Sequence, residues 1–589
     1  MEIIMLPESR RKYGRTLSIL IASLLPVFSA SITVKGQPSA GDGPAGLVPS
    51  SAIMFLQTSS LSSAVPAARY FIENLLPAED SKKIKDWNAD FKAKTGVDML
   101  DAASLAGAGV DAGRPAAMAY LDASKGSERI MILVPVKNEK TFPQRFVEVI
   151  KKANRDRPAL DLHPAVIRQG NHLVYRMMDD IFFTGIKGYL VIASSKEIIS
   201  SVIDLGSSSL AADPLFASYA AKKRAGNDLD IYLKKAFLEQ IDGGRKGKKA
   251  RQDGDETGED DDDSRNGDSE GDEAPGGKTE RTAPGGALSV MAPESNFFEF
   301  MAAGFVRTKE GISVDFSLSL TDGNPATALA SGLFRPGIPE YTLSSSNPLA
   351  YHYISLDIKA LDTFCERNSR SAEYARACEY YAKLKKEAGA GLGLDLDADF
   401  LPWFGGYFNA VMRKARISGT LDNFVFFVPM TDGSKAANLA KKLRTAVREK
   451  NPEEGAFGDE RIDALPSFWF KDKRGNRISV LAGARGVFIA NNTEFLREVL
   501  AADGPKSRPA AGLFGDPPTG SFLLSYLRIE KESYMKALLM FLTYNAGPHI
   551  AGLVNRVDSI SLTGTRAGNY YSFRMAFSLT GPEKASGAK

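Results

Sequence analysis

The chain has 589 residues, 43% of them apolar and 25% charged, an ordinary globular composition but too long for one hydrophobic core, so two or more domains are expected. Its 74 basic and 71 acidic side chains leave a net charge of +3, without the basic excess that nucleic acid would require. Two cysteines are too few for a thiolate metal cluster within one chain.

At the N-terminus Arg10, Arg11, Lys12 and Arg15 precede an apolar run from Leu17 to Val27, and the small residues Ser29, Ala30 and Ser31 follow. A positive flank, a short apolar segment and a small-residue exit predict a signal peptide over residues 1–31, then a Gly/Pro/Ser-rich linker over 32–47. The mature chain is therefore expected in the periplasm or outside the cell. An uncleaved N-terminal membrane anchor is the alternative, although Pro26 and the hydroxyl residues make a poor span.

From residue 48 onward the chain reads as one α+β domain written twice, over 48–323 and 347–583, with a tail at 584–589. Val48-Pro49-Ser50-Ser51-Ala52-Ile53 opens the first copy and Asn347-Pro348-Leu349-Ala350-Tyr351 the second. Gly96-Val97-Asp98 answers Gly393-Leu394-Asp395, and Leu133-Val134-Pro135 answers Phe427-Val428-Pro429. Proline within an apolar strand predicts an edge or a bulge, because it cannot donate to the ladder. Helices with apolar residues at turn spacing come next, on Phe142 and Phe146 and on Leu439 and Leu443. Each copy closes with strict alternation: Ile312, Val314, Phe316 and Leu318 against Ser313, Asp315 and Ser317, then Tyr571, Phe573, Met575 and Phe577 against Ser572, Arg574 and Ala576. That pattern predicts an antiparallel sheet whose polar side is wet, with helices packed on its other face.

The copies differ between their last helix and last two strands. Residues 243–293 of the first are Gly-rich and charged, and Asp253 to Glu273 carries twelve acids against Arg265. Such a segment has too little apolar surface to offset its ordering entropy, so disorder is expected there. The second copy has Tyr534 to Leu542 instead, apolar on nearly every side of a helix. Met535, Leu538, Leu539, Phe541 and Leu542 are thus a candidate ligand or partner surface, with burial between domains as the other reading.

Little here points to chemistry. Gly267-Asp268-Ser269-Glu270-Gly271 matches a nucleophile elbow by letters, and Gly276-Gly277-Lys278-Thr279 the end of a phosphate loop. Both lie in the acidic insertion without the strand and helix such motifs need. His163, His172, His352 and His549 show no ligand spacing. Asp98 and Asp395 are expected to bond local backbone after a Gly turn. Cys365 and Cys378 can form a disulfide only if the chain turns between them, for which Asn368-Ser369-Arg370-Ser371 is suited; two buried thiols is the equal alternative.

The halves resemble a family of uncharacterised exported bacterial proteins known only as a domain of unknown function. The Pro-started strand, the Gly-x-Asp segment and the apolar-Pro strand carry the resemblance. So does Ser209-Leu210-Ala211-Ala212-Asp213-Pro214-Leu215-Phe216, which Ala511-Gly512-Leu513-Phe514-Gly515-Asp516 does not match in the second copy. The resemblance implies export and fold, and no activity. We expect a non-enzymatic cell-envelope protein without cofactor, acting by binding or scaffolding on another envelope protein or a lipid. Membrane contact is expected only through an uncleaved N-terminal segment. A periplasmic carrier of an apolar ligand and a hydrolase with an unrecognised site are the alternatives.

Overall fold

A computed structural model of the chain describes residues 43–74, 78–121, 129–156, 162–177, 181–237, 239, 297–308, 311–339, 342–343, 345, 347–414, 422–450, 456–463, 465–472, 475–501, 513–514, 517–529 and 557–579. The expected signal peptide 1–31, the insertion 243–293, the expected surface Met535–Leu542 and the tail 584–589 lie outside them.

Among the described residues ten strands come before the helix Pro325–Leu333: β1 (Ala52–Thr58), β2 (Ala117–Leu121), β3 (Ile130–Pro135), β4 (Ala165–Gln169), β5 (His172–Met177), β6 (Ile181–Ile186), β7 (Tyr189–Ala193), β8 (Leu229–Lys234), β9 (Phe298–Arg307) and β10 (Gly311–Leu320). Ten more follow: β11 (Ala350–Ser355), β12 (Tyr407–Arg413), β13 (Asn423–Pro429), β14 (Phe457–Ile462), β15 (Leu465–Lys471), β16 (Arg477–Gly483), β17 (Gly486–Ala490), β18 (Ser521–Arg528), β19 (Val557–Ala567) and β20 (Tyr570–Leu579). The helices are α1 (Leu61–Asn74), α2 (Ala78–Thr95), α3 (Ala102–Gly107), α4 (Phe142–Ala153), α5 (Lys196–Ile203), α6 (Pro214–Lys222), α7 (Pro325–Leu333), α8 (Lys359–Asn368), α9 (Ala375–Leu392), α10 (Gly433–Lys450) and α11 (Thr493–Ala501).

Local sequence accounts for several of these helices. Ser195 caps α5 by accepting from the Ile198 N–H, and the helix buries Ile198, Ile199 and Val202, each worth about 2 kcal/mol of apolar transfer. Asp213-Pro214 starts α6: the carboxylate accepts from the N–H groups of Leu215 and Phe216, and Pro214 occupies a first-turn position where its missing N–H costs nothing. Phe216 then packs edge-on against Phe55 and Tyr232, which explains the Asp-Pro-x-Phe pattern structurally.

All the strands among the described residues, 20 in number, join one antiparallel sheet. Reading across it, the order is β4-β5-β6-β7-β3-β2-β1-β8-β9-β10 and then β20-β19-β18-β11-β12-β13-β17-β16-β15-β14. The two runs meet at β10 and β20, which pair from Gly311 opposite Ser578 to Ser319 opposite Tyr570, with Asp315 opposite Arg574 at the middle. We call this junction the seam.

Three expectations need correction. Helices cover both faces of the sheet, because its central strands are apolar on both sides. Met131, Leu133 and Val191 pack under α5 and α6, while Ile132, Leu190 and Ile192 pack under α1 and α4. Likewise Val425, Phe427 and Phe488 meet α11, and Val480 and Val487 meet α10. Secondly, Pro135 and Pro429 lie on interior strands without a bulge. Each is the last residue of its strand, so the missing donor falls where the ladder ends. Thirdly, the polar side of β10 is not wet: Ser313, Asp315 and Ser317 are 2%, 7% and 7% exposed, whereas Ile312, Val314, Phe316 and Leu318 are only half-buried. The polar side is roofed by the chain that leaves α6.

Candidate functional site

That roof encloses a cleft of about 400 Å³ over the seam, with both runs of the sheet in its walls. Its floor is the polar side of four adjacent strands: Ala302 and Gly304 of β9, Asp315 and Ser317 of β10, Tyr570, Ser572 and Arg574 of β20, and Thr563 and Thr565 of β19. Period-two alternation sends these side chains to one side, and the registers Asp315–Arg574 and Ser317–Ser572 line them up in rows. Lys222, Lys223, Arg224 and Asn227 form one wall, from the end of α6 to the start of β8, and Pro518, Thr519 and Arg566 close the other. Gly304 is needed in this floor: a Cβ there would lie 2.0 Å from Asn227 Nδ2.

Charge in the cleft is unbalanced, with five cationic side chains against one carboxylate on its walls among the described residues. Lys223 Nζ is held by Asp230 Oδ2 at 2.6 Å, and Asn227 Nδ2 donates to Asp230 Oδ1 at 2.8 Å. Arg574 Nε donates to Asp315 Oδ1 at 2.7 Å, tying the two runs of the sheet together, and Arg224 Nη1 lies 3.6 Å from Asp315 Oδ2. Arg566 Nη1 is spent on the carbonyls of Ser331 and Phe334. Lys222 sits over the Tyr570 ring, 4.7 Å from its centre. Among the described residues neither Lys222 nor Arg566 has an acidic partner.

Burial pushes Tyr219, beneath the cleft, well above the usual phenol range, and the nearby Asp230 adds to this. Tyr570 is raised by burial too, although a hydrogen bond with Ser317 opposes the shift. Asp228, 2% exposed, is raised by burial to about 7, against the lowering influence of the Arg307 N–H that donates to its Oδ2 at 2.8 Å. Asp228 lies behind the wall and does not line the cleft.

The surface proposed from sequence, Met535, Leu538, Leu539, Phe541 and Leu542, lies outside the described residues. Cys365 and Cys378 are brought together by a turn at Asn368–Ser371, with Cα atoms 5.4 Å apart and a disulfide between α8 and α9. Phe364, Tyr374 and Leu329 pack around it, and none of them is among the residues lining the cleft. Asp98 accepts from the Leu100 N–H and from Asn88 Nδ2, and Asp395 from the N–H groups of Asp397 and Ala398, which are backbone-organising roles. His352 Nδ1 meets Ser525 Oγ at 2.8 Å across β11 and β18. No group of three or more metal-ligating side chains occurs among the described residues, and no helix among them is long and apolar enough to cross a membrane. Sequence reasoning missed the cleft. The one available signal was the Asp and Arg at equivalent places on two otherwise Ser-rich strand faces.

Helices around one large antiparallel sheet make this an α+β protein. No family model matches the chain, and no curated protein matches it. Solved structures of TP0453 are similar over about half of it. Crystal form I has 8% identity, covers 48% of this chain and 80% of that chain, and has a TM-score of 0.22. Crystal form III has 12% identity, covers 50% and 89%, and has a TM-score of 0.23. A likeness that loose carries no argument about fold or function.

Proposed function

We propose that this chain is an exported, non-enzymatic binding protein of the cell envelope, built from two copies of one domain, with the seam cleft as its ligand site. The observation that carries the reading is the cleft itself: residues of both runs line it, and it exists only where β10 pairs with β20. Duplication is supported by strand order. Adding ten to each label of β4-β5-β6-β7-β3-β2-β1-β8-β9-β10 gives the order of the second run outward from its far edge. It is supported too by α4 and α10 on one face and α5 and α11 on the other. Domain limits of 48–323 and 347–583 follow, with α7 as the link. Export rests on the basic and apolar N-terminal run, and N-terminal sequencing should find a mature chain beginning between residues 30 and 37.

Native mass spectrometry of protein purified from its own host tests the binding role. A non-covalent adduct is expected on the wild type and absent from Thr563→Trp, which fills the cleft from β19. Adduct-free protein in both cases would refute the reading.

A second reading, a carrier of an apolar ligand, is favoured by the other side of the seam. There Ile312, Val314, Phe316, Phe573 and Phe577 are half-buried and Met575 is 37% exposed. Displacement of a fluorescent fatty acid from wild type but not from Met575→Asp supports it. No binding of that probe excludes it.

A further inference from the structure

Two buried acceptors on residues that line the cleft lack a hydrogen-bond partner among the described residues. Asn227 is 5% exposed, and its Nδ2 is committed to Asp230, which fixes the amide and leaves Oδ1 without a donor among the described residues. Asp315 is 7% exposed, and its Oδ2 accepts no hydrogen bond, since Arg224 stands beyond hydrogen-bond reach. Buried acceptors left so are costly, and a ligand hydroxyl relieves each of them. Beside them, among the described residues Lys222 has no acidic partner, and Arg574 contacts Asp315 through Nε, with no acid on its Nη groups. Thr563 and Ser572 add hydroxyl donors on the same floor. A neutral polyol would leave the cations unused, and sulfate, which has no O–H to donate, would leave both acceptors unsatisfied. The volume is right for a small organic molecule that carries both kinds of group.

We propose that the seam cleft binds a phosphorylated polyol, its phosphate on Lys222 and Arg574 and its hydroxyls donating to Asn227 Oδ1 and Asp315 Oδ2. The proposal rests on the seam being the ligand site. A guanidinium and an ammonium together suit a phosphate dianion, which accepts from several donors at once.

Calorimetric titration of the full chain tests it, at constant ionic strength, with glycerol 3-phosphate, inorganic phosphate, glycerol and sulfate. Glycerol 3-phosphate is expected to bind at least tenfold more tightly than any of the other three. Lys222→Glu, an exposed change that leaves the core untouched, should weaken that binding at least tenfold, and Lys222→Arg should restore most of it. Co-sedimentation with phosphatidylglycerol vesicles, against phosphatidylcholine vesicles, separates the sources. Binding to the former but not to soluble glycerol 3-phosphate assigns the group to a lipid headgroup, and the converse assigns it to a free phosphate ester. Equal affinity for inorganic phosphate or sulfate overturns the proposal, as does no effect of Lys222→Glu or no binding in either format. A host-derived adduct without phosphorus, lost in Thr563→Trp, would overturn it too, while leaving the seam as the ligand site.

Discussion

The residue with the plainest consequence for stability is Asp228. Its carboxyl is 2% exposed, and burial lifts it to about 7 in the folded chain, against a little under 4 when unfolded. The folded state therefore holds this proton more tightly than the unfolded state, and its contribution to stability is fully present below about pH 4. Stability then falls by about 1.4 kcal/mol per pH unit, and the contribution is lost as pH rises through about 7. Asp228→Asn keeps an oxygen for the Arg307 N–H and removes the charge. It should raise stability by about 2–4 kcal/mol at pH 8 and change it little at pH 4. Urea melts at the two pH values check this, and an equal effect at both would mean that Asp228 does not titrate between them. Asp213 shows the opposite balance. Burial alone would raise it, but Lys234 and the Phe216 N–H outweigh burial and hold it below its ordinary value. Its Oδ2 meets Lys234 Nζ at 2.6 Å, joining the start of α6 to β8.

Among the elements, the α8–α9 pair and the seam carry the sharpest expectations. The disulfide closes a separation of 13 residues, and removing it should cost about 3 kcal/mol by the loop-entropy argument. Cys365→Ser/Cys378→Ser is expected to melt earlier and to be cut first between residues 369 and 373. An unchanged melting curve would show that packing of Phe364 and Tyr374 suffices. At the seam, β10 and β20 are the closing strands of the two runs, and each alone would present a long open edge. Arg574 opposite Asp315 makes their pairing complementary at the centre. Arg574→Asp sets two carboxylates opposite each other, one of them buried, and should cost about 2–5 kcal/mol. Limited proteolysis should then release fragments split near α7, and Arg574→Lys should behave close to wild type. Resistance of both variants to cleavage would place the strength of the seam in its backbone ladder.

For the whole molecule, the charged insertion is expected to contribute nothing to the core. Deleting residues 245–285 should leave the melting temperature nearly unchanged, whereas a large loss would mean that the segment packs. Helix and strand identities were legible because their patterns are local. Alternation over 312–320 and 571–579 and turn spacing in α4 and α10 each need only a few neighbouring residues to act. A composition fit for globular domains also came from residues alone. Tertiary structure decided which side of each strand is covered. The Ser313–Asp315–Ser317 side looks wet by composition, yet it is buried because the chain after α6 folds over it. Pro135 looked like an edge marker, yet a strand's last residue can lack its donor anywhere in a sheet. The cleft was illegible for the same reason. Lys222, Asn227, Asp315, Thr563 and Arg574 are separated by up to hundreds of residues, and only the pairing of β10 with β20 brings them to one floor. A pattern within one strand fixes alternation, but which alternate side meets protein, solvent or ligand depends on long-range contacts that no local pattern encodes.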